Sequence, residues 1–136
     1  MTPSQSIAAT VLGLGLAVAP EAWADPVSDA CAALVNVRTS LYAMLSAKEE
    51  TAQDALKAKV KAESAKLDSV LAGMTGANAK TAADFKAVWD QFKATRDNEI
   101  IPTIQKGNAD AAKKLADGIQ YERLSKMWGI MSCSRK

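Results

Sequence analysis

Apolar residues recur along this chain at intervals of three and four, the period of a helix with one buried face. No segment alternates strictly, as a half-buried strand does. Four such stretches stand out. The first, over about 27–47, carries the row Val27, Cys31, Leu34, Arg38, Leu41 and Leu45, widened by Val35, Val37, Tyr42 and Met44. Its only charges are Asp29 and Arg38, which predicts either the most buried helix or a subunit interface. The second, over about 51–72, repeats Leu56, Val60, Glu63, Leu67 and Val70, and Thr51-x-x-Asp54 reads as an N-cap with an acid at N3. No Gly or Pro separates the two near Ser46–Glu50, so one long helix is the alternative.

Gly73-Met-Thr-Gly-Ala-Asn78 is a loop signal. Thr81-x-x-Asp84 is expected to cap a third helix with the row Phe85, Trp89, Phe92, Arg96 and Glu99 or Ile100. Pro102 has no N–H for the helical ladder and is expected to kink or end it. Gly107 suits a helix C′ position, Asn108 an N-cap and Asp110 the first turn of a fourth helix over about 109–132. Its row is Ala112, Leu115, Ile119, Met127 and Met131, interrupted by Glu122 and Arg123. Four helices of similar length with short connections predict an all-α fold, an antiparallel up-down-up-down four-helix bundle.

The N-terminus belongs to a different class. Ile7 to Ala19 is a short apolar run, followed by Pro20 and Ala22-Trp23-Ala24, an A-x-A cleavage site. Residues 1–24 are expected to be a secretory signal peptide and 25–136 the bundle domain. The leader contains no Lys or Arg and one acid, Glu21, which leaves 17 basic against 14 acidic residues, a net charge of +3. That balance does not argue for nucleic acid. The alternation of Lys57, Lys59, Lys61, Glu63, Lys66 and Asp68 reads as a solvated helix face. Cys31 and Cys133, an even count in an oxidising compartment, predict one disulfide and, with the leader, a periplasmic protein.

Reflecting residue numbers through each turn brings Arg38, Glu63, Gln91, Gln120, Glu122 and Arg123 to one level near mid-height, with Arg96 more than a turn away. Such a layer is either a buried salt-bridge network that sets helix register or a polar pocket for a small anion. In a pocket, the arginine forks would meet a carboxylate or phosphate.

The pieces Phe92-x-x-x-Arg96, Glu99-Ile-Ile-Pro102, Lys106-Gly107-Asn108-x-x-Ala111 and Gln120-x-x-Arg123 carry a likeness. The run from Phe85 through Met131 resembles the second half of the four-helix-bundle sensor domains of bacterial chemoreceptors and related periplasmic ligand-binding bundles. The first half matches by architecture alone. The resemblance implies a homodimer through helix 1 and a small-molecule ligand, with arginines of helices 1 and 4 contacting carboxylates at the subunit interface. By position these are Arg38 and Arg123. The chain departs from that pattern in having no second transmembrane helix, linker or signalling domain. The expectation is therefore a free-standing binding bundle without catalytic activity, whose signalling partner would be membrane-bound. Its candidate ligand residues are Arg38, Glu63, Arg96, Gln120 and Arg123.

The chain has no His, and so offers neither the Cys-x-x-Cys-His of covalent haem nor the Glu-x-x-His of di-iron bundles. The commonest general base and zinc ligand is missing too. No cofactor is expected. Cys31, Met127, Met131 and Cys133 would form a soft set suited to Cu(I) if the thiols were free, which keeps a soft-metal bundle open as an alternative. A purely structural or partner-binding helical protein is the other. Trp89 and Trp128 read as packing residues.

Overall fold

A computed structural model describes residues 25–133; the leader expected over 1–24 lies outside the described residues. Four long helical stretches account for nearly all of them, and no strand occurs among the described residues. Helix α1 is Pro26–Ser46 and α2 is Glu50–Gly73. Helix α3 begins as Ala79–Thr95, widens into a π-helical turn at Arg96–Ile100 and resumes as Ile101–Gln105. Helix α4 repeats the plan: Ala109–Leu115, a π-helical turn at Ala116–Gln120, then Tyr121–Ile130. A single 3₁₀ turn, Gly76–Asn78, lies between α2 and α3.

The helix ends show which local signals are used. Asp25 caps α1, its carboxylate accepting from the Val27 N–H at 3.0 Å, with Pro26 at the first helical position. The break between α1 and α2 is real, and Gln53 secures it by donating to the Ala47 carbonyl at 2.8 Å. Neither Thr51 nor Thr81 caps a helix. Both lie inside helices that begin at Glu50 and Ala79, and the residues ahead of those starts make no side-chain cap bond. Asp84 instead pairs with Lys80 one turn before it. The turn into α4 follows its signals: Gly107 has φ +85° and the Asn108 side chain accepts from the Ala111 N–H at 3.3 Å.

The shared core is built from Leu34, Val37, Leu41 and Met44 of α1, Val60, Leu67 and Leu71 of α2, Phe85, Trp89, Phe92, Ile100 and Ile104 of α3, Leu124 and Met127 of α4, and Met131 just past its end. Trp89 and Phe92 stack with ring centroids 5.6 Å apart. Truncating either buried ring should cost about 3–5 kcal/mol.

The two π turns decide which residues reach this core. In α4 the buried positions run Ala112, Ala116, Gln120, Leu124, in steps of four, before Met127 and Met131. Steps of four drift off the face of an α-helix, and the extra residue of a π turn absorbs the drift. Ile119, expected on the buried row, is therefore 41% exposed, while Ala116 and Gln120 are fully buried. The same spacing, Phe92, Arg96, Ile100, Ile104, runs through the π turn of α3. Pro102 accounts for that turn. Its ring would meet the carbonyl of Asn98 four residues back, and the widened turn accommodates it, so the helix continues to Gln105.

Cys31 and Cys133 form a disulfide that joins the first turns of α1 to the end of α4. No helix among the described residues is long and apolar enough to cross a membrane.

Candidate functional site

The expected charged layer resolves into separate contacts. The core face of α1 is set by Val37 and Leu41, which turns Arg38 out to solvent, where its guanidinium lies 5.3 Å from the ring centre of Tyr42. On α2 the core position is taken by Ser64, and Glu63 sits half-buried at the edge, 3.5 Å from the Asn36 amide nitrogen. Glu122 is exposed. Among the described residues no ion pair involves Arg38, Glu63, Glu122 or Arg123. The physical reason is desolvation: a one-position rotation of each helix exchanges a costly buried charge for Val37 and for the small hydroxyl of Ser64.

Arg123 and Gln120 do come together. Gln120 is fully buried, donates to the Phe92 carbonyl at 2.9 Å and accepts from Arg123 at 3.0 Å. Arg123 also donates to the Thr95 hydroxyl at 2.7 Å and to the Gln91 carbonyl at 3.3 Å. The Gln120 amide and one terminal nitrogen of Arg123 thus stitch α4 to α3. The π turn of α4 is held from α1 as well, since the Tyr42 hydroxyl lies 3.1 Å from the Ala116 carbonyl and 3.3 Å from the Asp117 carboxylate. Burial first, and then the nearby Asp117 charge, push the Tyr42 phenol above its ordinary pKa.

Arg96 is the buried charge. It is 2% exposed, on the first position of the α3 π turn. Its guanidinium donates to the Ser64 hydroxyl of α2 at 2.7 Å and, from Nε and one terminal nitrogen, to the two oxygens of Asp97 at 2.8 and 3.3 Å. It also lies 5.8 Å from the Trp89 ring centre. Ser64 in turn donates to the Val60 carbonyl at 2.8 Å, so its proton is already in use.

Around Arg96, α2 and α3 enclose a groove of about 440 Å³, floored by Val60 and Ile101 and walled by Lys57, Lys61, Asp68, Lys93 and Asp97. Asp68 is engaged by Lys93 at 2.9 Å and by the Trp89 indole N–H at 2.6 Å. Lys57 and Lys61 have no ion-pair partner among the described residues. The groove therefore has four cations against two carboxylates, with two of the cations unengaged. Such a lining can hold an anion by charge-assisted hydrogen bonds.

Of the expected site residues only Arg96 lines this groove. Lys57 and Lys61 belong to the face read as solvated, and both are exposed. The signal that marks them is their four-residue spacing, which puts them on one side of α2 just ahead of Ser64. At the disulfide end, the closed bond takes both thiolates out of the soft-ligand set, and Met127 and Met131 are core residues. No cluster of three His, Cys, Asp or Glu suited to a metal occurs among the described residues. No protein-family model, curated protein or solved structure matches the chain.

Proposed function

We propose that the protein is an exported, periplasmic four-helix-bundle binding protein for a small anionic ligand, that it has no catalytic activity of its own, and that the ligand sits in the groove between α2 and α3. The observation that carries this reading is the juxtaposition of a buried arginine with two unengaged lysines, Lys57 and Lys61, on one groove wall. Water-shielded guanidinium groups bind carboxylates and phosphates in a planar fork, and flanking ammonium groups add charge without fixing orientation. The chemoreceptor-like resemblance supports the class of protein, and the Cys31–Cys133 bond supports the oxidising compartment. An up-down-up-down arrangement of the helices fits the contacts. Along α3, Trp89, Arg96 and Gln105 meet Asp68, Ser64 and Asp54 of α2 in turn, and α1 meets α4 at Cys31 with Cys133 and at Tyr42 with Ala116, so in both pairs rising numbers on one helix face falling numbers on the other.

Thermal-shift measurements with a panel of small carboxylates and inorganic phosphate test the reading. A ligand that binds only the folded state raises stability with the logarithm of its excess, by about 2.7 kcal/mol at roughly a hundredfold over Kd. The shift should shrink in Lys57→Ala/Lys61→Ala and persist in Arg38→Ala. An unchanged melting temperature across the panel defeats the proposal.

A second reading, a partner-binding helical protein that pairs through α1, is favoured by the exposure of Val35 on α1 at 45%. Sedimentation at increasing protein concentration tests it: a wild-type dimer that dissociates in Val35→Lys supports pairing, and a monomer throughout excludes it.

A further inference from the structure

Asp97 holds an unusual place in the groove. Neighbouring residues on an α-helix point about 100° apart and do not normally face one another. Here the fork of Arg96 is closed by its own neighbour, with both carboxylate oxygens in reach, at 2.8 and 3.3 Å. The contact lies within the π turn that begins at Arg96. The pair is lopsided: the Arg96 side chain is 3% exposed and that of Asp97 is 54% exposed. Asp97 is therefore an anion delivered from the solvent side to a cation that cannot leave. A guanidinium has five N–H donors, and the contacts to Asp97 and Ser64 use three of them.

We propose that Asp97 is an internal surrogate for the ligand, occupying the Arg96 fork when the groove is empty and swinging into solvent when a carboxylate of the ligand replaces it. This rests on the groove being the binding site. It also sets the ligand class as a carboxylate that carries a second anionic group, for which succinate is a simple probe. The carboxylate takes the Arg96 fork. The second anionic group meets Lys61 and Lys57, about one and two turns before Ser64 on the same wall. A monocarboxylate could take the fork but would gain nothing from the lysines, and so would compete poorly with Asp97.

The displacement lowers apparent affinity by the fraction of time the fork stands open. If Asp97 closes it for roughly nine-tenths of the time, removing its charge should tighten binding about tenfold. The test is isothermal titration of the full mature protein with succinate and with acetate, in wild type and in Asp97→Asn. The substituted amide keeps an oxygen that can accept from Arg96, which also retains Ser64, and far-ultraviolet circular dichroism with thermal unfolding checks that the fold survives loss of the counter-charge. Succinate should bind Asp97→Asn about tenfold tighter than wild type, and acetate should bind both weakly. Alongside, the side-chain Nε–H resonance of Arg96 in wild type should shift on adding succinate. Succinate binding to wild type with unchanged or weaker binding to Asp97→Asn overturns the displacement and leaves the groove reading intact. Succinate binding with no movement of the Arg96 resonance also overturns it. No binding of either probe to either protein overturns both.

Discussion

Removing the Cys31–Cys133 bond by a double substitution to Ala should destabilise the protein through the unfolded chain. The two residues are 102 positions apart, so the bond closes a loop covering almost all of the described residues. For a loop of about a hundred residues the chain-entropy relation gives about 4.7 kcal/mol at 25 °C, and removal of native disulfides costs about 2–5 kcal/mol in practice. A helical domain of about 110 residues unfolds with an entropy near 0.23 kcal/mol/K, from about 2.1 cal/mol/K per residue. The loss therefore corresponds to a fall in melting temperature of about 9–20 °C. Thermal unfolding followed by circular dichroism reads it directly, on the variant and on wild type with a reductant. The native spectrum before unfolding should be unchanged, because the four helices are packed through Leu34, Phe85, Trp89 and Met127 independently of the cross-link. A fall of under about 3 °C, or loss of helix at low temperature, would refute this reasoning. The first would mean that the unfolded chain gains little freedom, and the second that the bond holds the native helices together.

Two further outcomes follow from the contacts on α4. Gln120→Leu should cost about 1–3 kcal/mol in denaturant unfolding, because it strips the buried Phe92 carbonyl and Arg123 of a partner; a loss under about 0.5 kcal/mol would show that water satisfies them. Tyr42 should ionise above 10.0 in a spectrophotometric titration. Because its folded value is raised, the stability it contributes is complete below the unfolded pKa and is lost as pH rises through the folded one, so Tyr42→Phe should flatten the alkaline fall in stability. An equally steep fall in that variant would place the titration elsewhere.

The helices were legible because three- and four-residue spacings are hard to mistake, and Gly107 and Asn108 marked the α3–α4 turn through φ and capping chemistry that only a few residue types supply. The faces were less legible. A row such as Val27, Cys31, Leu34, Arg38 is compatible with two rotations of the helix, and the choice fell to Val37, Leu41 and Met44, which bury more apolar surface without burying a charge. In α3 and α4 the π turns inserted an offset that α-helical counting cannot follow, which moved Ile119 outward and Gln120 inward. The steps of four at Ala112, Ala116, Gln120, Leu124 and at Phe92, Arg96, Ile100, Ile104 carried that information. Arg96 was visible as a charge on a core row. The groove around it was not, because Lys57 and Lys61 are exposed like the other lysines of that face and are set apart only by what α3 brings opposite them.

The groove between α2 and α3 is the central claim, and amide chemical-shift mapping of the ¹⁵N-labelled mature protein during a succinate titration tests it most directly. Saturable shifts should concentrate at Lys57, Lys61, Ser64, Lys93, Arg96 and Asp97, with those of Arg38 and Arg123 unmoved. Saturable shifts centred on Arg38 and Arg123 instead, or none anywhere at millimolar succinate, would contradict the account.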